Sequence, residues 1–198
     1  MENKKDLSKN FWYLIVGICT LLVIIIIIAF VVFSNRKPEV IEKNENGANI
    51  VLNYTSNVSG LKLTDITPTT DAVGMKNLKD EEYFDFSVEV ALDNARGVEY
   101  EISAVKDTKN STISDDDIKI YLEKEKSGTY TKVFGPDKFK PLKKKTEIGS
   151  EKGSMVLIKT KKTNSIADNY RLRMWLSDKS NVTSGTYAIE IVVNGKAK

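Results

Sequence analysis

The 23 residues from Phe11 to Phe33 carry no charged side chain, and only Gly17 and Thr20 interrupt their apolar character. At ~1.5 Å per residue, a helix of that length crosses a hydrocarbon layer of ~30 Å with some tilt. The run Ile24 to Ile28 favours a strand in water, but in lipid only a helix satisfies every backbone group within the segment. Phe11, Trp12 and Tyr13 suit the aromatic belt at a bilayer interface. The segment predicts one transmembrane helix over residues 11–33, behind a short basic tail, residues 1–10, that contains Lys4, Lys5 and Lys9.

Arg36, Lys37 and Lys43 nearly balance those three lysines, so the positive-inside count is close to a tie. The short basic tail decides it, placing the N-terminus in the cytoplasm and the C-terminal domain outside the cell. The rival expectation is an export signal that is cut away. Its apolar region is ordinarily ~7–15 residues followed by a small-x-small site. Ile27-Ile28-Ala29 and Val32-Phe33-Ser34 match such a site weakly. Cys19 follows the bulky Ile18 inside the run, which does not suit lipid attachment.

The run also distorts the composition. The whole chain is 41% apolar, whereas residues 34–198 alone are about 35% apolar, above the disordered regime. The chain contains no histidine, and Cys19 is its one cysteine. Ser-His-Asp and Cys-His nucleophile pairs, histidine-ligated zinc and intrachain disulfides are therefore excluded. A net charge of +3 over 198 residues does not announce a nucleic-acid partner, and none is expected. Asp115-Asp116-Asp117, and Asp65 with Asp71, offer oxygen atoms but lack the loop pattern of a calcium site. No metal and no cofactor is expected, although composition leaves carboxylate or Ser/Lys chemistry open.

Residues 34–49 are polar and charged, punctuated by Pro38 and Gly47, and read as a linker. From residue 50 to 198 the apolar period becomes two, the mark of half-buried strands. Phe84, Phe86, Val88, Val90 and Leu92 share one face; Val98, Tyr100, Ile102 and Ala104 share another. Asp93 to Gly97 between them looks like a hairpin connection. Further strands are expected at 118–122, 130–134, 155–160, 170–176 and 186–194, with weaker ones at 50–54 and 61–66. Lys126-Ser127-Gly128 marks a turn. Up to nine short strands without a soluble amphipathic helix predict an all-β chain: an antiparallel β-sandwich, immunoglobulin-like or jelly-roll-like.

Alternation along 170–176 puts Arg171, Arg173 and Trp175 on the face opposite Tyr170, Leu172, Met174 and Leu176. An exposed Trp beside two Arg suits stacking on a sugar or gripping an anionic polymer. The plainer alternative is that Trp175 covers an open flank of the sheet, with Arg173 stacked on it. Lys143, Lys144 and Lys145, with Lys138 and Lys140, form a basic loop that suits an acidic surface or serves as a solvated turn. The Asn-x-Ser/Thr triplets at Asn53, Asn57, Asn110 and Asn181 are expected by chance in so Asn- and Ser-rich a chain.

Basic tail, apolar segment, polar linker and strands such as 84–92 and 170–176 resemble small surface proteins of low-GC Gram-positive bacteria. Within that group the chain is distantly similar to the camelysin and biofilm-matrix fibre family. That resemblance implies a β-sandwich able to donate a strand to a neighbour. The processing site of that family is missing here, and no functional residue carries over. The expected function is a single-pass, membrane-anchored, non-enzymatic surface protein. Its expected partners are the bilayer through residues 11–33, and a cell-wall glycan, an anionic polymer or a surface protein; self-association by strand pairing is a further expectation. A secreted fibre subunit and a cell-envelope hydrolase are the alternatives.

Overall fold

Period-two patterning becomes nine strands in the computed structural model, which describes residues 48–54, 59–64, 67–76, 83–92 and 96–198. In chain order they are β1 Ala48–Tyr54, β2 Gly60–Leu63, β3 Tyr83–Leu92, β4 Val98–Lys106, β5 Ile118–Lys126, β6 Thr129–Asp137, β7 Met155–Lys162, β8 Ile166–Leu176 and β9 Tyr187–Ala197. A single helical turn, α1 Asp71–Gly74, lies between β2 and β3. The linker expected to reach residue 49 ends earlier, because Ala48 is already in β1. The segments 1–10 and 11–33, and the rest of the linker, lie outside the described residues. Among the described residues, no helix is long and apolar enough to cross a membrane.

One sheet has five strands in the order β1-β3-β8-β5-β6, the other four in the order β2-β9-β4-β7. All of these pairings are antiparallel. Only the β5–β6 connection stays within one sheet. It is a two-residue hairpin in which Lys126 pairs with Thr129, and Ser127 and Gly128 take the positive φ values, 51° and 78°, of a turn that follows strand twist. The hairpin expected between β3 and β4 does not form: β3 pairs with β1 and β8, and β4 with β7 and β9. Both strands carry strongly apolar faces, and those faces meet across the core instead of lying side by side.

Phe84, Phe86, Val88 and Val90 from one sheet pack with Val98, Tyr100, Ile102 and Ala104 from the other, joined by Leu172, Met174, Leu176, Ile189 and Ile191. Phe84, Phe86 and Tyr170 stack in series, with centroids 5.8 and 5.4 Å apart. Register fixes the two ends of the sandwich. Ala48 lies opposite Leu92, Val90 opposite Ile166, and Lys124 opposite Tyr170. In the second sheet Val98 lies opposite both Lys162 and Ala197. The chain therefore enters the sandwich at one end, called here the tether end. The far end holds the start of β5, Ile118 opposite Leu176, and the start of β9.

Candidate functional site

The outer face of β8 holds the residues that alternation places there, but it is not open. Trp175 is 3% and Arg173 4% exposed, and Arg171 is half-buried. Each arginine is locked across strands to a carboxylate. The Arg171 guanidinium donates to both oxygens of Asp85 at 2.7 Å and lies over Tyr130 at 4.4 Å and Tyr83 at 4.8 Å. The Asp85 hydrogen bonds raise the Arg171 pKa against the effect of burial. Arg173 Nε donates to Glu123 Oε2 at 2.9 Å. These are short, charge-assisted pairs with little left over for a ligand.

Trp175 is covered by the segment that contains α1. Gly74 presses so closely on the indole that a Cβ there would lie 2.2 Å from Cδ2. Thr69 N–H donates to Leu176 O at 2.9 Å, in a short parallel bridge beside the end of β8. Tyr121 meets the indole edge-on at 6.3 Å. The expected exposed platform is therefore corrected to a covered indole. Its Nε1–H is buried and has no partner among the described residues.

The basic loop sits elsewhere. It lies in the β6–β7 connection, whose residues Thr146 and Ser150 donate to Glu101 Oε2 at 2.6 and 2.8 Å. Ser150 also bonds Ser103, at 2.7 Å. Glu101 and Ser103 alternate with the core residues Tyr100 and Ile102, so they face outward from the four-stranded sheet. The two expected groups, Arg171, Arg173 and Trp175 on one side and Lys143, Lys144 and Lys145 on the other, thus occupy opposite outer faces and form no common site. All three lysines are exposed, and Lys145 pairs with Glu151.

The densest constellation of charged and polar groups, which the sequence reading missed, lies inside the tether end. Asp168 Oδ2 receives Lys124 Nζ at 2.7 Å, Lys162 Nζ at 3.0 Å and the Tyr100 hydroxyl at 3.3 Å. The Tyr170 hydroxyl stands 3.1 Å from that of Tyr100. Lys124, Asp168 and Tyr170 belong to one sheet, Tyr100 and Lys162 to the other. Burial raises the Asp168 pKa, but the hydrogen bonds and charges of Lys124 and Lys162 outweigh it and hold the carboxyl below its ordinary value. Burial, reinforced by that carboxylate, pushes both tyrosines up. The signal was one of parity: Asp168 falls on the face of Tyr170, Leu172 and Met174, and Lys124 on that of Ile118, Ile120 and Leu122.

At the far end Asp115 accepts from Lys106 at 2.5 Å and from the Tyr187 hydroxyl at 2.9 Å, and Asp116 pairs with Lys138. Of the aspartates considered for calcium, Asp115 and Asp116 are thus engaged with lysines, and Asp65 lies outside the described residues. Among the described residues, no group of three or more His, Cys, Asp or Glu is arranged to hold a metal ion.

No family model and no curated protein matches the chain. Among solved structures, one described as "AvmM Catalyzes Macrocyclization in Alchivemycin A Biosynthesis" is similar over 81% of each chain, at 12% identity and a TM-score of 0.37.

Proposed function

We propose that the chain is a single-pass, membrane-anchored surface protein whose sandwich, immunoglobulin-like or jelly-roll-like, serves a non-enzymatic binding or assembly role at the cell envelope. Residues 11–33 are its transmembrane helix, the N-terminus is cytoplasmic and the sandwich lies outside. The observation that carries the non-enzymatic part is the direction of the pKa displacements. Among the described residues, each carboxylate with a displaced pKa is displaced downward and each such tyrosine upward. General acid–base work calls for the opposite movement, toward neutral pH. Asp85, Glu123 and Asp168 are spent on holding strands together through Arg171, Arg173, Lys124 and Lys162.

Fractionation with intact-mass measurement tests the anchor. The proposal expects the full chain, beginning at its first residues, in the membrane pellet and resistant to alkaline extraction. A shorter chain starting near residue 34 in the medium would replace it with the secreted fibre subunit.

A further inference from the structure

We infer that the outer edge of β1 is the surface on which a second copy of this chain docks, strand against strand and antiparallel about a two-fold axis; the inference rests on the assembly role proposed above and gives it a partner. A sheet edge that is long, regular and uncharged invites a further strand, and natural sheets blunt their edges with lysines, prolines, bulges or shortness. Three of the four edges here are blunted. β6 carries Lys132 and Pro136, and its register against β5 shifts twice. β7 carries Lys159, Lys161 and Lys162, and β2 is four residues long with Lys62 among them. β1, which ends the five-stranded sheet, is different. Its seven residues, Ala-Asn-Ile-Val-Leu-Asn-Tyr, hold no charge and no proline, and all of them pair with β3 without a bulge.

The parity of that edge follows from its neighbour. Leu92 N–H donates to Ser165 Oγ at 3.0 Å, on the β8 side of β3. Antiparallel partners bond alternate residues, so Leu92, Val90 and Val88 turn their main-chain groups toward β8. Ala48, Ile50 and Leu52 lie opposite them and turn theirs to the outer edge, while their side chains stay in the core. The core is complete in one copy, and what the edge offers a second is main chain. Full overlap of two β1 strands sets Ile50 opposite Leu52 of the second copy, Val51 opposite its own counterpart, and Asn49 opposite Asn53 of the second copy. In that register no charge meets a like charge, as a two-fold contact of one strand with itself requires. Asn49 Oδ1 is buried without a partner among the described residues. A turn about its soft χ2 torsion brings the amide against that of Asn53 of the second copy.

The test uses the full chain in mild detergent, with Cys19→Ala and one new cysteine. Val51→Cys is expected to form a disulfide-linked dimer several-fold faster than Lys132→Cys on the β6 edge. Facing residues that share no main-chain bonds have Cα atoms ~4.5 Å apart, within disulfide reach. Added to Val51→Cys, Asn49→Lys/Asn53→Lys should suppress that dimer several-fold, because lysines then face each other across the axis. Asn49→Glu/Asn53→Lys, which sets opposite charges there, should retain it, and both double variants should keep the melting temperature. Absence of linkage at 51, equal linkage at 51 and 132, or equal linkage in the two double variants overturns the paired edge. Linkage at 51 in intact cells only to a different protein overturns it as well. Should either double variant unfold, the comparison of positions 51 and 132 decides alone. Linkage reads β1 whether the chain sits in a bilayer or in the medium, so failure of the anchor and failure of the pairing are separate results.

Discussion

The two ends of the sandwich use the same three residue types and close in different ways. At the tether end Asp168, 12% exposed, gathers two lysines and a tyrosine hydroxyl on one oxygen, and the partners come from both sheets. At the far end Asp115, 33% exposed, holds one lysine and one tyrosine. On that side an indole is sealed under a peptide segment on the outer face of the five-stranded sheet. The tether end is thus held by buried charge and the far end by covered apolar surface. A carboxylate placed deep among cations is worth several times one at the rim, because its removal leaves charges that water cannot fully reach.

Truncating Trp175 should have the largest effect. Trp175→Ala empties the space beneath Gly74 and should cost about 3–5 kcal/mol in denaturant unfolding. A loss under 1 kcal/mol would show that the indole is not a packed cover. Asp168→Ala should follow at about 3 kcal/mol, since it leaves two half-buried ammonium groups facing one another. Its electrostatic nature can be read from pH. The folded pKa of Asp168 is depressed, so its stabilisation is present above the ordinary Asp value of about 3.9 and disappears as pH falls through the lower folded value. Asp168→Asn should therefore flatten the acid limb of stability against pH; an acid limb identical to that of the unmodified chain would contradict the cluster.

Smaller effects should come from the cover and from the rim. Gly74→Ala pushes a methyl into the indole and should cost about 2 kcal/mol, the usual range for overpacking, with a change in tryptophan fluorescence once Trp12 is replaced by Phe. Unchanged emission and stability would mean that the segment yields freely. Asp115→Ala should cost about 1 kcal/mol, in keeping with a partly exposed pair. A cost matching that of Asp168→Ala would erase the distinction between the ends.

Strand positions were legible because each long strand alternates cleanly, as in Phe84, Phe86, Val88 and Val90. Sheet membership was not, since alternation says which residues face the core but not which strand lies alongside. The Asp93–Gly97 connection therefore resembled a hairpin although β3 and β4 lie in different sheets. The outward direction of Arg171, Arg173 and Trp175 was also legible; their burial was not. It depends on Asp85, Glu123 and Gly74, between 50 and 101 positions away in the sequence, and local pattern does not carry such pairings. Asp168 was missed for another reason. It shares the parity of Tyr170 and Leu172, but the strand was expected to begin at Tyr170 and begins at Ile166, so a carboxylate on the core face, which requires a cation beside it, was not legible.

Protease shaving of intact cells, followed by detection of residues 48–198 and of a cytoplasmic control protein, tests the central claim most directly. A sandwich anchored through residues 11–33 and displayed outside should be lost from the cells while the control stays intact. Full protection of the sandwich, with digestion only after the cells are opened, would place it on the inner side and contradict the account.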